Sequence, residues 1–172
     1  MPVRWKPNVT VAAIIAGEID GCTRYLLVEE QTPEGMMFNN PAGHLDPGES
    51  PQHGVVREAL EETAMVFTPH CLIGVYLARF QRRTKARVMQ DVTYLRFAYG
   101  GSAGDPDPRL ALDTGIERTV WMSLEEVRAC RARHRSALVL KCIEDHAAGR
   151  RFPLDLISVD PSLYAPEIKI PR

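Results

Sequence analysis

The sequence predicts an α/β protein, a mixed β-sheet with helices packed against it. Three observations carry that prediction. Short β-branched and apolar segments open the chain, one strongly capped helix interrupts them, and two further helical segments with polar caps follow the last strand. Strands, helix, strands and then helices is the order of a sheet covered by helices, an α/β or α+β sandwich.

Each element has a local reason. Val9–Ile15 is short and β-branched, as a buried strand is. A turn over Gly17 to Thr23 leads to a hairpin partner, Arg24–Glu29. A polar loop from Gln31 to Gly35 precedes Met36–Phe38, and Pro41 with Gly43 marks a sharp change of backbone direction. Ser50-Pro51 opens the clearest helix: Ser is a good N-cap, and Pro suits a first turn where its missing N–H costs nothing. That helix is expected to run to Glu62 or Thr63. Two long strands follow, Met65–Arg79 and Ala86–Tyr99, with a loop from Gly100 to Asp113. Thr119–Met122 reads as another strand, Ser123 as the cap of a helix from Leu124 to Cys130, and Ser136–Ala148 as an amphipathic helix ended by Gly149. The proline-rich tail from Phe152 is expected to lie extended on the surface.

Composition narrows the class of partner. The 172 residues carry a formal charge of −1, with 25% charged and 7% aromatic residues, as in a globular domain. Near-neutrality gives no electrostatic case for a nucleic-acid polymer or an anionic membrane. No apolar run has the length of a membrane span, and the residues from Met1 to Pro7 lack the apolar stretch of a secretory signal, so a cytoplasmic location is expected. Cys22, Cys71, Cys130 and Cys142 form no C-x-x-C pair and are expected to be buried free thiols.

The chemistry is concentrated between Gly43 and Glu62. At about 100° per helical residue, Glu61 falls roughly −60° and Glu62 roughly +40° from Glu58, so three carboxylates share one arc. Val56, Ala59, Leu60 and Thr63 are expected to face the core from the other side. Like charges at this spacing, near a helix C-terminus, weaken the helix unless a cation offsets them. Arg57 can serve one acid; a hard divalent cation such as Mg²⁺ would serve several. Alone, an E-x-x-E-E run is most simply a solvated acidic face. The residues around it argue otherwise.

Gly43, Glu49, Arg57-Glu58, Glu61-Glu62 and Met65 stand at the spacings of the Nudix box, G-x5-E-x7-R-E-U-x-E-E-x-G-U, and the chain resembles that family. Ala64 departs from it, standing where the family has Gly, and this puts the helix exit in question. The resemblance implies a Nudix-type α/β/α sandwich with a mixed sheet and cleavage of a diphosphate linkage. It implies that Glu58, Glu61, Glu62 and the Gly43 carbonyl hold Mg²⁺, with Mn²⁺ as an alternative. Arg57 and Glu49 would brace loop and helix by an ion pair. A box carboxylate, or an outside acid such as Asp113 or Glu117, would take the proton from the attacking water.

Further segments, Lys6–Ala12, Leu27–Glu30, Pro41–Leu45 and Arg151–Leu154, resemble the bacterial phosphatase NudJ branch of that family. That likeness implies release of orthophosphate from nucleoside di- or triphosphates or from hydroxymethylpyrimidine diphosphate, a thiamine intermediate. The alternatives are a pyrophosphatase for nucleoside-diphosphate derivatives or oxidised nucleotides, and a non-catalytic metabolite-binding domain. His44, Phe38 and Arg24 are the expected substrate contacts, and Arg82, Arg83, Lys85, Arg87 and Arg96 are further cations available to a phosphate. The expected organisation is a catalytic domain over residues 6–148 with a C-terminal extension over 149–172, in a monomer or homodimer.

Overall fold

The computed structural model describes residues 4–83 and 89–165; Lys85 and Arg87 lie outside them, as do the side chains of Arg82 and Arg83. The described strands are β1 (Asn8–Ile19), β2 (Cys22–Thr32), β3 (Gly35–Asn39), β4 (Ala42–His44), β5 (Phe67–Arg83), β6 (Met89–Ala103) and β7 (Ile116–Met122). The helices are α1 (Pro51–Thr63), α2 (Leu124–Ala129) and α3 (Ala137–Ala147). The strands form one mixed sheet in the order β3-β2-β1-β6-β5, with β4 on β1 and β7 on β2. Only β1 with β6 is a parallel pair among the described strands.

Alternation along β1 divides the core in two. Val11, Ala13 and Ile15 pack with Val55 and Ala59 of α1, whereas Ile14 faces Val127 of α2 and Leu138, Val139 and Ile143 of α3. Helices therefore cover both faces, and the architecture is the α/β/α sandwich the sequence predicts. No helix among the described residues is long and apolar enough to cross a membrane.

Several strands outrun their expected ends. The first hairpin turns only at Asp20-Gly21, both with positive φ, so β1 continues through Gly17 to Ile19 and the broad turn expected there is absent. Such a two-residue turn matches the twist of the strands it joins. Likewise β2 runs on to Thr32, and β6 to Ala103. In each case polar residues that read as loop are paired in the sheet. The tail departs from a purely extended path: Phe152 pairs with Leu72 of β5, and Leu154 and Ile157 pack against the α1 side of the core. All four cysteines are free, but only Cys71 and Cys142 are buried; Cys22 is exposed and Cys130 partly so.

Helix α1 begins as its caps dictate. The Ser50 hydroxyl accepts the His53 N–H at 3.2 Å, and Pro51 opens the first turn. Its exit answers the question raised by Ala64. That residue takes the left-handed conformation, φ 56° and ψ 19°, and its N–H reaches the Leu60 carbonyl at 2.8 Å. The glycine-like turn is made in spite of the Cβ, at a strain of about 1 kcal/mol. Replacing Ala64 by Gly relieves the strain but loosens the unfolded chain, which offsets part of the gain. We expect Ala64→Gly to raise stability by about 0.5 kcal/mol, measured by urea denaturation; a clear loss would show that the buried methyl outweighs the strain.

Candidate metal and active site

The carboxylates of α1 are not a solvated face. Glu58 and Glu62 are 8% and 9% exposed, whereas Glu61 is half-exposed. The buried stripe of the helix is Gly54, Val55, Glu58, Ala59, Glu62 and Thr63. Val55 thus replaces Val56 and Leu60 as the main apolar contact, and those two are only partly buried. The helix is rotated so that two acids point inward, toward β4.

Strand β4 receives them. A Cβ on Gly43 would fall 2.1 Å from the Glu58 carboxylate, so that group lies directly on the bare Cα. Glu62 Oε2 accepts the Ala42 N–H at 2.8 Å. Burial raises the pKa of both acids. Glu62 is pushed up to about 8 by burial, with the Ala42 amide acting against it and the charges of Glu58, Glu30 and Asp113 adding to it. Glu58 is raised by burial first, against the pull of Arg57.

Arg57 links the loop to the helix. Its Nε and Nη2 donate to the two oxygens of Glu49 at 3.1 and 2.6 Å, the bidentate geometry that suits a guanidinium. Its Nη2 also reaches the His44 carbonyl at 3.0 Å, and Nη1 donates to Glu58 at 2.8 Å and Glu61 at 2.9 Å. Hydrogen bonding to Arg57 holds the Glu49 carboxyl below its usual range, and Glu49 also accepts the Asp46 N–H at 2.8 Å. Arg57 therefore hydrogen-bonds three carboxylates and one carbonyl, with Asp46 a fourth acid at 3.8 Å, where one partner was expected.

The outside acids separate. Asp113 donates its backbone N–H to the Glu61 carbonyl at 2.9 Å, and its charge reaches Glu58 and Glu62. Glu117 is exposed on β7.

Two of the three expected substrate contacts are placed elsewhere. Phe38 is 3% exposed in the core on the α3 side, and the Arg133 guanidinium lies over its ring at 4.3 Å. Both its burial and that cation close the face a base would stack on. Arg24 sits opposite Gly17, toward the far end of the β1–β2 hairpin, and its Nη1 is paired with Glu126 at 3.1 Å. Only His44 stays at the site: its carbonyl takes Arg57, and its exposed ring leans on Tyr94 with centroids 6.0 Å apart.

Of the cations the sequence offers to a phosphate, Arg96 is the one the fold buries among the described residues, with two of its nitrogens unpartnered. Polar groups that the sequence does not single out are enclosed as well: both amide atoms of Asn40, Asn39 Oδ1 and Thr10 Oγ1 are buried without a partner.

Among the described residues, no three acidic, imidazole or thiol groups converge on one point; Arg57 holds Glu58 and Glu61 here. The donor set nevertheless suits a hard divalent cation, which takes carboxylate and carbonyl oxygens. Arg57 would keep Glu49 and the His44 carbonyl after releasing the other two acids.

Comparison with known proteins shows the family. Residues 6–141 match the NUDIX domain family. The chain is 31% identical over 154 residues to Phosphatase NudJ of Escherichia coli strain K12, covering 89% of this chain and 92% of that one. Among solved structures it is similar to a NUDIX hydrolase from Nitrosomonas europaea, with 47% identity and a TM-score of 0.76, covering 90% of this chain and 98% of the other. The MutT NUDIX hydrolase from Burkholderia pseudomallei shares the fold, with 21% identity, a TM-score of 0.61 and coverage of 82% and 98%. The chain belongs to the Nudix family and is a hydrolase of pyrophosphate bonds. Within that family it is similar to NudJ phosphatases of Escherichia coli and Shigella flexneri.

Proposed function

We propose that this hydrolase is a cytoplasmic, Mg²⁺-dependent phosphatase that releases orthophosphate from nucleoside di- or triphosphates or from hydroxymethylpyrimidine diphosphate. The observation that carries the reading is the packing of Glu58 and Glu62 against β4, with Glu61 beside them on Arg57. Glu58, Glu61, Glu62 and the Gly43 carbonyl would hold the metal. When bound, it offsets phosphate charge and lowers the pKa of an attacking water. Mn²⁺ would fit the same oxygen donors.

The chain's own residues do the rest. Arg57, anchored on Glu49, fixes the loop and helix relative to each other and so sets the spacing of the carboxylates. A box carboxylate, or an outside acid (Glu117, or Asp113 tethered beside Glu61), would take the proton from water. His44 stands at the mouth of the site for a small phosphorylated substrate.

The test is a product assay over nucleoside di- and triphosphates, nucleoside-diphosphate sugars and hydroxymethylpyrimidine diphosphate, with Mg²⁺, with Mn²⁺ and with chelator. We expect orthophosphate, and turnover lost on chelation. Pyrophosphate or paired monophosphates as products would favour the pyrophosphatase alternative, and no turnover of any of these would overturn the reading.

A further inference from the structure

Buried arginines are normally paired, because an uncompensated buried charge costs several kcal/mol. Arg96 on β6 departs from this. It is 9% exposed, its Nε and Nη1 have no hydrogen-bond partner, and it forms no ion pair among the described residues. Burial works against its charge, while Cys142 of α3 and then Glu62 and Glu30 work in its favour. Neither acid is its direct partner: Glu62 is on the Ala42 amide, and Glu30 lies 3.4 Å from Arg135 Nε.

The sheet register shows what surrounds it. Thr10 of β1 is opposite both Arg96 of β6 and His44 of β4, so the three side chains form a row on one face. Thr10 is 4% exposed, and its hydroxyl also lacks a partner. Arg96 Nε and Nη1 and the Thr10 hydroxyl are all able to donate. Val11 and Gly43 lie on the face of the sheet that α1 covers, and the row lies on the opposite face. Its His44 end is part of β4, where the Ala42 amide holds Glu62, and Arg96 is within electrostatic reach of Glu62. Donors without acceptors, held by a fixed positive charge, are complementary to an anionic oxygen.

We propose that Arg96, with Thr10 beside it, binds a phosphoryl oxygen of the substrate and is the residue that positions the diphosphate against the carboxylates of α1. This rests on the phosphohydrolase reading above. The buried guanidinium gains its missing counter-charge when substrate enters, so the pairing is strongest for a ligand that carries phosphate.

The full chain serves as the test. Inorganic phosphate binding is measured by calorimetry in chelator, and KM and kcat with a nucleoside diphosphate and Mg²⁺. Wild type is expected to bind phosphate without metal. Arg96→Met should weaken that binding and raise KM by roughly 10- to 100-fold, the loss of charge-assisted hydrogen bonds, with a smaller change in kcat. Its melting temperature should hold or rise, because an unpaired buried charge is gone. Arg96→Lys should fall between the two in phosphate affinity, since it keeps the charge and loses the fork. Wild-type affinity and KM in Arg96→Met would overturn the proposal, as would absence of phosphate binding to wild type. Should Arg96→Met fail to fold, unchanged phosphate affinity in Arg96→Lys overturns it and weakened affinity supports it. Phosphate binding through Arg96 in a protein that hydrolyses no diphosphate would keep the site and overturn the hydrolytic assignment alone.

Discussion

Glu61→Gln is expected to lower Mg²⁺-dependent kcat/KM by on the order of a thousandfold or more, with the melting temperature within about 2 °C of wild type. The two halves of that expectation come from different parts of the structure. Glu61 is half-exposed, and its carboxylate accepts from Arg57 Nη1 at 2.9 Å. Gln keeps the shape and can still accept from Arg57, which is independently held by Glu49 and the His44 carbonyl. The substitution also removes a like charge that raises the pKa of Glu58. Folding therefore has little to lose. Catalysis loses one of three anionic donors to a hard cation, and a neutral amide oxygen is a weak replacement. Steady-state kinetics and a thermal melt on the same preparation check both halves. Near-wild-type turnover would remove Glu61 from the metal set.

The fold and the start of α1 were legible in the sequence because both are encoded locally. Ser50 and Pro51 announce the start of α1 through backbone chemistry within one turn, and the capped helix forms where they place it. The carboxylates were legible because their meaning lies in spacing along a single helix and its preceding loop. Strand ends were less legible. Residues such as Gly17 and Gln31 have turn-like or polar side chains, but their backbone groups are taken by a neighbouring strand.

Contacts made through space were not legible. Phe38 and Arg24 have the right chemistry for a substrate and the wrong neighbours: Arg133 arrives from the segment before α3, and Glu126 from α2. Arg96 shows the reverse. In sequence it is one of several strand and hairpin cations, and only the parallel register of β1 with β6 sets it beside Thr10. The direction of α1 was misjudged for a related reason. A helical wheel assigns apolar residues to the core, but here β4 supplies a bare Cα and an open amide, so two glutamates are buried with partners.

Gly43→Ala is expected to separate function from folding. The added Cβ would lie 2.1 Å from the Cδ and both oxygens of Glu58, a distance no real contact allows. Something must move, and the atoms in the way are the far end of a flexible side chain. Gly43 pairs with Val11 in β4 and is not among the residues with positive φ, so alanine suits its backbone. The conflict is relieved by turning the Glu58 carboxylate away, and stability should fall by no more than about 1 kcal/mol. The site pays instead: a displaced ligand should lower metal affinity and reduce kcat/KM by roughly 100-fold. The control is the same change in Glu58→Ala. With no carboxylate over the Cα, the added methyl meets nothing of Glu58 and should cost little further activity, so the two substitutions should be strongly non-additive. Additive losses, or a Gly43→Ala enzyme within about threefold of wild type, would show that the close approach of Glu58 to β4 does not set the metal site.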